Sequence, residues 1–100
     1  MDEVTVGLGL SPVISWSPAC AASVLTVRED GILTHWSIGV ADGRGALTPP
    51  VTYGLVPPGA HENTPVTPLV MGRQYEVKIW PSPCGLLCAK FGEVTFTAAP

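Results

Sequence analysis

The residues of this 100-residue chain with the widest chemical range are three cysteines, Cys20, Cys84 and Cys88, and two histidines, His35 and His61. Cys84 and Cys88 flank Gly85-Leu86-Leu87, a spacing that suits a local disulfide pinching the tip of a loop and also falls within the range of zinc ligands. A structural zinc needs four ligands, however, and no second clustered pair accompanies these two cysteines. Nucleophilic catalysis lacks its signatures as well. There is no G-x-S-x-G elbow, neither histidine has a carboxylate at a motif spacing, and Glu62 beside His61 is adjacency without geometry. Gly43-Arg44-Gly45 is a turn rather than a phosphate loop, because no helix follows it. Asn63-Thr64-Pro65 has proline where a glycosylation acceptor needs a hydroxyl. The chain therefore reads as non-catalytic, with no catalytic residue, cofactor or metal site expected, and both histidines are expected in solvent.

Composition narrows the partners. Charged residues are 13% of the chain and the formal net charge is −3. The five basic residues, Arg28, Arg44, Arg73, Lys78 and Lys90, are scattered, so no stripe exists to neutralise a row of phosphates, whether of nucleic acid or of an anionic membrane. No apolar run approaches the ~20 residues needed to cross a bilayer, and Met1-Asp2-Glu3 is acidic where a signal peptide would be basic. With 46% hydrophobic residues, the expectation is a single domain over residues 1–100 with one core.

The elements that would position these residues are strands. Eleven glycines and eleven prolines punctuate short stretches rich in Val, Ile, Thr, Tyr and Trp, and no ten-residue stretch carries an uninterrupted helical period. Val4 to Leu10 alternates Val4, Val6, Leu8 and Leu10 against Thr5, Gly7 and Gly9 as a first strand. Val13 to Ser17 puts Ile14 and Trp16 on one face and stops at Pro18. Ser23 to Glu29 and Ile32 to Val40 read as a hairpin around Glu29-Asp30-Gly31, with Trp36 and Ile38 facing away from His35 and Ser37. Val51 to Val56, boxed by Pro49-Pro50 and Pro57-Pro58, reads as an edge strand, and Pro57 to Pro68 as a long polar connection. Tyr75, Val77 and Ile79 alternate with Gln74, Glu76, Lys78 and Trp80, and Glu93 to Thr97 closes the domain. About seven strands at this spacing fit an all-β, two-sheet antiparallel sandwich.

Leu69 to Ile79 resembles the corner leading into the sixth strand of fibronectin type III domains, relatives of the immunoglobulin-like sandwiches. There a leucine lies six residues before a tyrosine, and apolar residues follow two and four positions on, as Leu69, Tyr75, Val77 and Ile79 do here. Ile14-Ser15-Trp16-Ser17-Pro18 looks like the family's second strand. The resemblance departs where that family has a tyrosine in its third strand, since Leu25 and Val27 stand there. It implies that Leu69 plugs the core while the Tyr75 hydroxyl bonds back to the backbone at the corner. Trp16, Trp36, Leu69, Tyr75, Val77 and Ile79 are the expected core.

In that topology the loops carrying Cys20 and the other cysteines share one end of the sandwich. A bridge from Cys20 to Cys84 or Cys88 then competes with the local Cys84–Cys88 bridge and with free thiols. The implied function is that of a spacer or protein-interaction module of a secreted, cell-surface or periplasmic protein, its leader no part of this chain. The alternative is a carbohydrate-binding module using outward aromatics, with Trp80 on the outer face of its strand and Tyr53 on the edge as contact residues.

Overall fold

The computed structural model describes residues 3–17, 21–29, 33–40, 47–81 and 92–99. They form eight strands: β1 (Glu3–Val6), β2 (Val13–Ser17), β3 (Ala22–Glu29), β4 (Leu33–Gly39), β5 (Val51–Thr52), β6 (His61–Thr64), β7 (Gln74–Pro81) and β8 (Gly92–Thr97). One sheet runs β1-β2-β5 and the other β6-β4-β3-β7-β8, and every pairing is antiparallel.

Alternation builds the contact between the sheets. Tyr75, Val77 and Ile79 of β7 stand opposite Glu29, Val27 and Leu25 of β3, and Val27 and Leu25 stand in turn opposite Trp36 and Ile38 of β4. All of these except Glu29 are buried, and they meet Val4, Ile14, Trp16 and Val51 of the smaller sheet in one sandwich-like core. Burying an aliphatic or aromatic side chain of this size stabilises by roughly 1.5–3 kcal/mol, so this interface supplies most of the driving force for folding. Trp16, Trp36, Leu69, Tyr75, Val77 and Ile79 all lie within it.

The corner before β7 is closed by side chains. Leu69 is buried, and the Val70 amide donates to the Tyr75 hydroxyl at 2.7 Å. Gly72 takes φ +86°, a conformation that costs a residue with a Cβ, and its N–H donates to Ala98 O, pinning the turn to the end of β8.

Three strand expectations are corrected. The first strand ends at Val6, because the Gly7 amide donates to Val13 O and turns the chain. Leu8 and Leu10 therefore point into solvent although the alternating pattern continues through them. The Val51–Val56 strand shortens to Val51–Thr52, since residues 53 and 54 turn. The long polar connection contains β6, which adds an edge next to β4.

His35 corrects a fourth. In place of solvent it is buried, because the β3–β4 register shifts between Val27 and Arg28. Val27 opposes Trp36 and Arg28 opposes Thr34, so His35 is an extra residue with no partner across the ladder. A bulge breaks strict alternation and turns two successive side chains inward.

Candidate functional site

Two further bulges interrupt the five-stranded sheet. Ser23 is extra between Ala22 and Val24 of β3, and Asn63 is extra on β6, where Ser37 opposes Thr64 while Ile38 opposes Glu62. Both lie toward one end of the sheet's outer face, where Trp80 stands opposite Val24, Val24 opposite Gly39, and Gly39 opposite His61. Trp80 is 39% exposed, whereas Trp16 and Trp36 are inside.

Gly39 is what allows this row to close. A Cβ there would stand 3.1 Å from Asn63 Nδ2 and 3.3 Å from Ser23 O, so the Asn63 carboxamide lies over the glycine on the outer face. Next in register come the paired hydroxyl residues Thr26, Ser37 and Thr64. Beyond them Lys78 Nζ lies 3.6 Å from carboxylate oxygens of both Glu76 and Glu93, so its charge is shared locally. Among the described residues the face thus presents an exposed tryptophan, a carboxamide and an imidazole, with Thr26 and Ser37 buried beside them.

The opposite corner holds a different cluster. His35 Nε2 lies 3.7 Å from Glu29 Oε2, Arg73 donates to Glu29 Oε1 at 3.0 Å, and the imidazole meets the Tyr75 ring edge-on at 5.1 Å between centroids. The Arg73 hydrogen bond holds the Glu29 carboxyl below its ordinary range against the opposing effect of desolvation; the charges of Arg73 and His35 add to the lowering. Neither His35 ring nitrogen makes a hydrogen bond. Among the described residues no group of three His, Cys, Asp or Glu side chains is placed to hold a metal ion.

No protein family, curated protein or solved structure matches the chain. The site therefore has to be read from its own residues. Tyr53, expected as an exposed contact, is buried: its hydroxyl donates to the carbonyl of Thr67 and its ring meets Trp36 edge-on at 5.3 Å. It cannot serve as a stacking platform. The flanking prolines suggested an edge, but the turn at residues 53 and 54 folds the ring inward, where burial, with a smaller contribution from Tyr75, pushes its phenol pKa up. Trp80 is on the outer face, as parity implies. His61 is exposed and sits on β6 rather than in a loop. Cys20, Cys84 and Cys88 lie outside the described residues.

Two features escaped the sequence reading. Asn63 acquires its position only through the bulge and through a glycine on the neighbouring strand, and neither has a local sequence signal. Glu62, which appeared to be a mere neighbour of His61, accepts a 2.8 Å hydrogen bond from Trp36 Nε1 and so ties β6 to the core. A second surface is apolar: Leu10, Leu55 and Val66 are exposed and line an open groove of about 500 Å³ floored by Tyr53 and Leu69.

Proposed function

We propose that the chain is a non-catalytic sandwich module of fibronectin type III character that works as a protein-interaction or spacer unit in an exported or cell-surface protein. The family assignment is supported by the Val70–Tyr75 corner bond and by the Leu69 plug beneath it. Sheet order supports it too, with β1, β2 and β5 in one layer and β4, β3, β7 and β8 successive in the other; β6 is an additional edge strand.

The observation that carries the interaction role is the apolar groove. Leu55 is 66% exposed and Leu10 45%, and Val66 joins them around one depression. Leu8, Val70 and Met71 are exposed on turns that both attach to Ala98–Ala99, so large apolar side chains gather on this side of the molecule. Contiguous apolar surface of this kind marks contact with another protein surface.

A photoreactive amino acid at position 55, introduced into the protein in its native cell, is expected to crosslink to a protein partner or to a neighbouring domain of the same polypeptide. Val66→Asp is expected to remove the crosslink and leave the unfolding midpoint unchanged. A folded protein whose position-55 probe captures nothing overturns the reading. Export is tested separately by intact mass before and after alkylation: a protein from its native source that carries a disulfide fits an oxidising compartment, and three alkylated thiols argue against it.

A further inference from the structure

The outer face of the five-stranded sheet is a second surface, built from different residues. We propose that it binds a neutral oligosaccharide, with Trp80 as the stacking platform and Asn63 as the principal hydrogen-bonding side chain.

Four observations converge on this ligand. First, Trp80 is the aromatic member of an outward row Trp80–Val24–Gly39–His61 that crosses four strands, and the residue is 39% exposed. An indole face presents the flat apolar surface on which the C–H side of a pyranose stacks. Second, the two bulges at Ser23 and Asn63 flank this row, and bulges are the usual device for re-aiming side chains beside a site. Asn63 is held against Gly39, 3.1 Å from where a Cβ would stand, and remains exposed. A carboxamide supplies a donor and an acceptor together, matching the paired donor and acceptor character of sugar hydroxyls.

Third, the distance fits. Gly39, over which Asn63 lies, and Trp80 are two inter-strand spacings apart, roughly 10 Å, the span of about two pyranose units. Fourth, the charges are already compensated. Lys78 is shared between Glu76 and Glu93, and Arg28 stands opposite Glu76, so the described residues of this face offer an acidic glycan no cation without a carboxylate beside it. A chain of neutral sugars lying across the strands, one ring on Trp80 and the next hydroxyls at Asn63 and His61, satisfies all four observations.

The test is titration of the folded chain with cello-, xylo-, manno- and chito-hexaose, and with hexamers of polygalacturonate and heparin, read by tryptophan emission and calorimetry. Because Trp16 and Trp36 are inside, Trp80 dominates any change in emission on binding. At least one neutral series is expected to saturate with a blue shift. Trp80→Ala is expected to weaken binding at least about tenfold, with Trp80→Phe retaining part of it. Asn63→Ala is expected to weaken it by about fivefold. The near-ultraviolet dichroism of each variant verifies that the core is intact. The proposal is overturned if no neutral series binds at millimolar concentration, if Trp80→Ala binds as wild type does, or if the acidic hexamers bind more tightly than the neutral ones.

Discussion

The two faces of the five-stranded sheet are made of the same strands and alternate residues, yet they do different work. Inside, Leu25, Val27, Trp36, Ile38, Tyr75, Val77 and Ile79 are closed to solvent and make one apolar layer. Outside, Thr26, Arg28, Glu76, Lys78, Glu93 and Trp80 make a polar layer around a single aromatic, with Thr26 and Ser37 buried near its centre. One face sets stability and the other is free to set recognition. The exceptions are instructive: on the inner side Glu62 takes the Trp36 indole N–H and Glu29 takes Arg73, while the buried His35 ring makes no hydrogen bond.

The comparison breaks most sharply between two tryptophans. Trp36→Ala removes a fully buried indole and leaves Glu62 without its donor, and is expected to cost about 3–5 kcal/mol in urea unfolding. Trp80→Ala, on the other face, is expected to cost about 1 kcal/mol or less. Comparable losses from both would mean that Trp80 is a core residue and that the outer face is no recognition surface. Next in size is Tyr75→Phe. It keeps the ring and deletes the acceptor of the Val70 N–H, for an expected loss of about 1–2 kcal/mol, measurable in the same unfolding experiment.

Gly39→Ala probes the outer face alone. The added methyl meets Asn63 Nδ2 and Ser23 O at distances that force a small shift, for an expected cost of about 1 kcal/mol. Adding Asn63→Ala removes one of the two contacts, so the double variant is expected to recover part of the loss. Strict additivity in that cycle would show that Asn63 does not rest on the glycine.

These pairs also mark how far the sequence could be read. The inner face was legible because apolar side chains two residues apart on β7, β2 and β3 leave one consistent assignment, and the Leu69–Tyr75 spacing marked the corner. Parity alone placed Trp80 outside. Bulges were not legible, since nothing in the types of His35, Asn63 or Ser23 signals an extra residue. Each is set by how two strands distant in sequence come into register. For that reason alternation places His35 in solvent and gives Asn63 no role as a contact residue. β6 was hidden because His61-Glu62-Asn63-Thr64 has no apolar alternation; its pairing with β4 and the Glu62 bond to Trp36 hold it in place. Tyr53 was misplaced because prolines on both sides of its segment imply an edge, whereas the turn at 53 and 54 carries the ring into the core.

The smallest effect expected is the pH dependence of the Glu29 pair, which tests whether the inner face tolerates charge only when it is partnered. Arg73 donates to Glu29 at 3.0 Å from a largely exposed side chain, and this hydrogen bond is the main reason that the carboxyl titrates below its ordinary value of 4.5. A carboxyl depressed on folding contributes stability that is fully present above its unfolded pKa and is lost as pH falls through the folded one. Glu29→Gln keeps an oxygen able to accept from Arg73 and removes the charge. Wild type is therefore expected to be slightly the more stable protein at pH 7, with the difference narrowing below pH 4.5 and vanishing in stronger acid. Urea midpoints measured across that range check the sign. A difference that stays constant with pH would mean that the Glu29 carboxylate contributes through packing alone, and that the inner face accepts it for its shape rather than for its bond to Arg73.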